Sequence, residues 1–142
     1  MPKGEHKMER PEKKKCIFCL IQKEKREKCI AESKYFFVRY DKFPVNKGHA
    51  DIVSKKHLVS IFDLGEDEIK DLFQIIKETK KIIDKKFHPD AYNIGVNEGR
   101  AAGRTVDHLH IQFIPRYKGD VADPTGGIRN VIPRKGNYLK KK

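Results

Sequence analysis

Polar and apolar positions alternate most strictly in one short stretch, Asp107-His108-Leu109-His110-Ile111-Gln112-Phe113-Ile114-Pro115-Arg116. His108, His110 and Gln112 share one parity, and Leu109, Ile111 and Phe113 share the other. Successive side chains of a β-strand point to opposite faces, so the pattern predicts a strand with one imidazole-bearing face and one apolar face. Residues two apart in a strand lie roughly 6–7 Å apart, which predicts two imidazoles and an amide in a row along one groove. The competing reading is an edge strand whose polar residues face water. Earlier in the chain the period changes. Ile69, Leu72, Phe73, Ile76, Ile83 and Phe87 recur at helical spacing and predict a helix from residue 66 to about 86. Asp63 and Glu66 are spaced as in a capping box at its start, and His88-Pro89 ends it. His88 therefore reads as a helix-terminal residue rather than a ligand.

Residues 33–40, rich in aromatic and β-branched side chains, predict a strand, and residues 49–54 predict its antiparallel return across a turn punctuated by Pro44 and Gly48. Residues 91–97 predict a third strand. The loop Glu98-Gly99-Arg100-Ala101-Ala102-Gly103-Arg104-Thr105 then delivers the chain to the histidine strand. Glycines in such a loop let backbone N–H groups approach phosphate oxygens, although the pattern also fits an ordinary turn. Residues 22–28 fit a short turn of helix or a loop. Beyond residue 119 the chain reads as irregular, with a possible short strand at residues 128–132.

At 142 residues, the chain suits a single domain with one core. Charged residues equal hydrophobic ones, at 37% each, so the core must be compact. No apolar run approaches the ~18–20 residues of a membrane span. No apolar segment follows the charged start, so no secretory signal is read and a cytoplasmic location is expected. The net charge of +12 lies mostly in the ends, because residues 1–15 and 134–142 together carry +8 of it. These ends read first as solvated tails, residues 1–15 as a flexible basic arm, and second as contacts for nucleic acid or another polyanion. The three cysteines form no disulfide framework. Cys16 and Cys19 make a Cys-x-x-Cys, which fits a redox pair, half of a metal site or two ordinary thiols. A closed zinc site needs two further ligands, and the available donors are His6, His49, His57, His88, His108 and His110.

Taken together, Cys16-Ile17-Phe18-Cys19, Asp41 with the turn at residues 44–49, Lys56-His57, the Asn97-x-Gly99-x-x-x-Gly103-x-Thr105 loop and the strand ending Ile114-Pro115-Arg116 resemble the histidine triad (HIT) family of nucleotide-binding proteins. The resemblance covers about residues 16–118, the expected domain. The remainder, residues 119–142 with Asp123-Pro124-x-Gly126-Gly127, looks like a subgroup of short prokaryotic members. It implies an α+β fold: a five-stranded antiparallel sheet with one long and one short helix, paired as a homodimer. It also implies a nucleotide substrate whose α-phosphate lies over the histidine strand, with His110 as the attacking nucleophile. A neutral imidazole nitrogen is a good nucleophile near neutral pH and a good leaving group from the phosphoramidate it forms.

By the same resemblance Asp41 accepts from ribose hydroxyls, while Asn97, Gly103 and Thr105 hold phosphate oxygens. Arg104 departs from the glutamine frequent in relatives and either adds a cation to the phosphate chain or points outward. In zinc-bearing relatives the Cys-x-x-Cys is completed by two histidines, here His57 and His108. That implies a structural zinc on Cys16, Cys19, His57 and His108, the alternative being an empty site with reduced thiols. Gln112 stands where most members carry a third histidine. Glutamine can hydrogen-bond a phosphate oxygen but cannot act as an acid. An amine leaving group needs a proton and a polyphosphate does not, so Gln112 favours cleavage of a phosphoanhydride. Relatives with glutamine here include galactose-1-phosphate uridylyltransferase and diadenosine tetraphosphate phosphorylases. The expected substrate is a diadenosine polyphosphate, with water or phosphate as the second acceptor. The alternatives are a purine-nucleoside phosphoramidase and a non-catalytic nucleotide or nucleic-acid binding protein.

Overall fold

The structure, a computed structural model, describes residues 16–24 and 29–139. The predicted arm at residues 1–15 lies outside the described residues, as do residues 25–28 and the last three lysines. Five strands form one antiparallel sheet: β1 (Ala31–Glu32), β2 (Phe36–Tyr40), β3 (Ala50–Ser54), β4 (Ala91–Gly95) and β5 (His110–Arg116), in spatial order β1-β2-β3-β5-β4. Two α-helices accompany it, the short α1 (Ile17–Glu24) and the long α2 (Glu66–Phe87).

Alternation decides which face each side chain joins. Phe36, Val38, Ala50, Ile52, Ile111 and Phe113 face α2 and pack with Leu72, Ile75 and Ile83 in the main core. Phe37 and Val53 face the other way and pack with Phe18 and Ile21 of α1. Fully burying one such Leu, Ile or Phe is worth about 1.5–3 kcal/mol. Because α1 is only two turns long, it covers just part of its face. The rest of that face, along β5, stays open and carries the half-buried His110 and Gln112.

The long helix falls where its period predicts, but its cap does not. The N-cap is Gly65, whose N–H donates to Glu68 Oε1 at 2.9 Å. Asp63 instead closes a 3-10 turn (Ile61–Asp63), whose own cap is Ser60. The helix starts at Glu66 as expected, but its cap lies two positions later than Asp63, at Gly65, so Glu68 and not Glu66 bonds back. His88 ends the helix in the left-handed conformation, at φ 53°. Gly48 takes φ +86° in the β2–β3 turn, and a Cβ there would sit 2.9 Å from the Phe87 ring. That close approach fixes the hairpin against the end of α2.

Two further expectations are corrected. Residues 128–132 do not form a strand: Gly127–Val131 is a 3-10 turn, because Gly126 and Gly127 both take positive φ and curl the chain. Strand β5 begins at His110, not before it. His108 therefore precedes the ladder and leaves the predicted row: it is fully buried, while His110 and Gln112 are half-buried.

Candidate active site

The start of α1 brings Cys16 and Cys19 to one face of a helical turn, over the far end of β3 and β5. There the four expected ligand residues meet. Cys19 Sγ lies 3.1 Å from His57 Nδ1 and 3.4 Å from His108 Nδ1. Cys16 Sγ lies 3.3 Å from His108 Nδ1, and the two histidine Nδ1 atoms are 3.2 Å apart. All four ligand atoms fall within 4.8 Å of one another. Around a tetrahedral zinc such atoms lie roughly 3.3–3.8 Å apart, so the donor set fits. On its other side His108 Nε2 meets the Ser54 carbonyl at 2.7 Å. That carbonyl accepts the Nε2–H and leaves the lone pair on Nδ1, facing the cysteines, the arrangement a metal-binding histidine needs.

His110 is oriented by its own strand. Its Nδ1 donates to the His108 carbonyl at 2.8 Å, so the lone pair sits on Nε2. Phe18 of α1 packs against both rings, at 5.7 Å from His108 and 5.0 Å from His110 between centroids. The cluster at Cys16, Cys19, His57 and His108 thus braces the residue that presents His110, through one shared backbone.

Gln112 has a partner the sequence did not suggest. His49 Nδ1 accepts from the Val45 N–H at 3.1 Å, which puts the ring proton on Nε2. Nε2 then donates to Gln112 Oε1 at 2.6 Å. With its oxygen engaged, the amide presents its N–H groups to the open face. The same tautomer disqualifies the Asp41, His49 and Asp51 group as a cation site, although its atoms also lie within 4.8 Å.

Asp41 follows β2 and is tied to the turn by the Phe43 N–H, which donates to Oδ1 at 2.7 Å. His49 Nε2 lies 3.7 Å from Asp41 Oδ2. Behind it, strand register aligns Arg39, Asp51 and Gln112 in one row across β2, β3 and β5. Arg39 Nη1 bonds Asp51 Oδ2 at 3.1 Å, with both residues buried. Burial, with Asp41 adding to it and Arg39 opposing, pushes the Asp51 carboxyl up to about 8. Burial acts on Asp41 too, but hydrogen bonds from Asp51 and the Phe43 N–H, with the Arg39 charge, leave it below the usual carboxylate value. Sequence reading missed Arg39, His49 and Asp51. The available signals were a cation within an aromatic strand and two polar residues flanking Ala50.

Gly95 pairs with Gln112, so the chain leaves β4 beside His110 and reaches Asn97 two residues later. Gly103 takes φ +97°, and a Cβ on it would lie 4.0 Å from Asn97 Nδ2, so these two expected phosphate contacts are neighbours. Thr105 is exposed on the same loop. Arg104 is half-buried and does not point outward: its Nε bonds Asp107 Oδ1 at 3.1 Å, and Arg100 pairs with the same carboxylate. Asp41 stands apart from this loop, on the His49 side of Gln112.

A family model described as HIT domain matches residues 22–119. A HIT-like protein of Methanocaldococcus jannaschii is 40% identical over 106 residues, 74% of this chain and 81% of its own length. From Schizosaccharomyces pombe, an adenosine 5'-monophosphoramidase is 34% identical over 71% of this chain and 74% of its own. An asymmetrical bis(5'-nucleosyl)-tetraphosphatase of the same organism is 35% identical over 56% of this chain and 44% of its own. Among solved structures, a HIT family protein from Bacillus anthracis superposes with TM-score 0.67 at 32% identity, over 74% of this chain and 75% of that one. A zinc-bound histidine triad protein from Mycobacterium smegmatis gives 0.68 at 28% identity, over 76% and 79%.

Proposed function

The chain belongs to the HIT family, and on that premise we propose that it is a nucleotide hydrolase or nucleotidyltransferase that cleaves a phosphoanhydride at the α-phosphorus, with a diadenosine polyphosphate as its substrate. The observation that carries this reading is the pair His110 and Gln112. His110 Nε2 is a free nucleophile because Nδ1 is committed to the His108 carbonyl. It attacks phosphorus, the P–N bond forms, and the P–O bond to the polyphosphate breaks. The leaving group departs as a stable anion and needs no acid, which suits the amide at Gln112. Water or phosphate then displaces the nucleotide, and Nε2 recovers its lone pair while the acceptor's proton passes to product or solvent.

Gln112 directs its N–H groups toward a phosphoryl oxygen because His49 holds the other end of the amide. Asn97, Gly103 and Thr105 take the remaining phosphate oxygens and Asp41 takes the ribose hydroxyls. Donors fixed before the reaction stabilise the developing charge without reorganising. Cys16, Cys19, His57 and His108 hold zinc, whose chemistry there is structural, since four protein ligands leave no open position. A homodimer is supported by β4, the edge strand, and by exposed Ile94, Ile69 and Phe73. No helix among the described residues is long and apolar enough to cross a membrane.

Incubation with diadenosine tetraphosphate, with and without phosphate, tests the reading. ADP plus ATP formed only with phosphate identifies phosphorolysis, and AMP plus ATP without it identifies hydrolysis. No product from the dinucleotide, with turnover of an AMP–amine conjugate instead, would overturn it in favour of the phosphoramidase. His110→Ala is expected to abolish turnover while nucleotide binding survives.

A further inference from the structure

The row behind Asp41 poses a charge problem. Asp51 is 1% exposed. Its Oδ2 accepts from Arg39, whereas Oδ1 is buried with no hydrogen-bond donor reaching it among the described residues. Asp41 and His49 each place a ligand atom within 4.8 Å of the Asp51 carboxylate. His49 offers nothing to it, because its Nε2–H is directed at Gln112. Arg39 from β2, Asp41 after it, His49 before β3 and Gln112 from β5 are the charged and polar groups that face Asp51. With Asp51 itself they set one cation against two carboxyls. A buried acceptor without a donor is destabilising, more so if charged, and two adjacent carboxylates cannot both stay ionised there. One proton resolves both difficulties.

We propose that Asp51 is a positioning residue for the nucleoside end of the site: its Oδ1 carries a proton at neutral pH, donates it to Asp41, and so holds Asp41 as an anion directed at the ribose hydroxyls. Each oxygen of Asp51 then has one role, Oδ2 as acceptor for Arg39 and Oδ1–H as donor to Asp41. Arg39 balances the single remaining negative charge, which sits on Asp41. The elevated Asp51 carboxyl and depressed Asp41 carboxyl agree in direction. The inference rests on the reading of Asp41 as the ribose acceptor, but the proton on Asp51 is observable without any nucleotide.

The test compares binding of AMP with that of 2',3'-dideoxy-AMP, whose phosphate titrates alike, so their ratio isolates the ribose contact. The native protein is expected to prefer AMP about tenfold at neutral pH, the worth of hydrogen bonds to a charged acceptor. It should lose that preference as pH rises through about 8, where the second carboxylate forms and Asp41 is pushed off its line. Asp51→Asn still donates an N–H to Asp41 and should keep the preference at both neutral and alkaline pH. Asp51→Leu should lose it at both while binding the dideoxy nucleotide as before. Asp51→Asn behaving like Asp51→Leu, or a native preference that ignores pH, would overturn the proposal.

A carbon-13 titration of the aspartate carboxyls, in the native protein and in Asp51→Asn for assignment, provides the readout independent of ligand. One carboxyl titrating near 8 and missing from Asp51→Asn supports the proposal; Asp51 ionised across the neutral range overturns it. If neither nucleotide binds the native protein, the nucleotide reading of the site has failed, and the titration still decides where the proton lies.

Discussion

At the residue scale, two hydrogen bonds define what each site histidine can do. The His108 carbonyl leaves the His110 lone pair on Nε2, and the Val45 N–H makes His49 a donor at Nε2. The second bond passes through the sheet to Gln112 and sets which end of the amide meets the substrate. Replacing Gln112 by His restores a group able to protonate a leaving amine. Gln112→His is therefore expected to shift the ratio of kcat/KM for an AMP–amine conjugate over diadenosine tetraphosphate upward by at least about tenfold, measured on the two substrates in parallel. An unchanged ratio would remove the leaving-group meaning of Gln112.

Asp51 has a consequence for stability at the same scale. Its folded carboxyl lies near 8, above the ordinary 3.8, so the native state holds a proton that the unfolded chain releases. The stability this group contributes is fully present below about pH 4 and falls as pH rises toward 8. Thermal melts across that window should show Asp51→Asn losing less stability than the native protein on the alkaline side. The alternation at residues 107–113 made His110, Gln112 and the apolar face legible from sequence. The Arg39–Asp51 pair was not, because strand register between distant segments creates it.

At the element scale, the long helix and the histidine strand were legible because each keeps one period over several residues. Cap and strand ends were less so: Gly65 takes the cap position expected of Asp63, and the chain enters the ladder only at His110. That late entry separates two histidines of equal parity on one face, His108 buried under α1 and His110 half-buried beyond it. The contact of α2 with the sheet holds this arrangement. Ile83 is fully buried in it, so Ile83→Ala removes methyl groups that neighbours cannot replace and should cost about 2–5 kcal/mol in urea unfolding. A change below about 1 kcal/mol would mean that this contact does not anchor the helix.

At the scale of the whole molecule, α1 covers part of one sheet face, and its two cysteines meet histidines from the β3 exit and the entry to β5. A metal joining these segments would bind the folded protein and not the unfolded chain, which raises apparent stability by mass action. Purified protein is expected to contain one zinc per chain by elemental analysis. Chelation should lower the Tm, and re-addition of zinc should restore it. A Tm indifferent to chelation would leave the four residues as a thiol–imidazole cluster. The family-level architecture was readable because its motifs run in order along 16–118; the C-terminal extension was not, since its glycines permit many paths.

The most direct test of the central claim is to mix the protein rapidly with diadenosine tetraphosphate, quench it in alkali, where a phosphoramidate survives, and map the adduct by peptide mass spectrometry. An adenylyl group on His110, absent in His110→Ala and discharged by water or phosphate at the rate of turnover, is the predicted result. Full turnover with no adduct at any time, or an adduct on another residue, would contradict it.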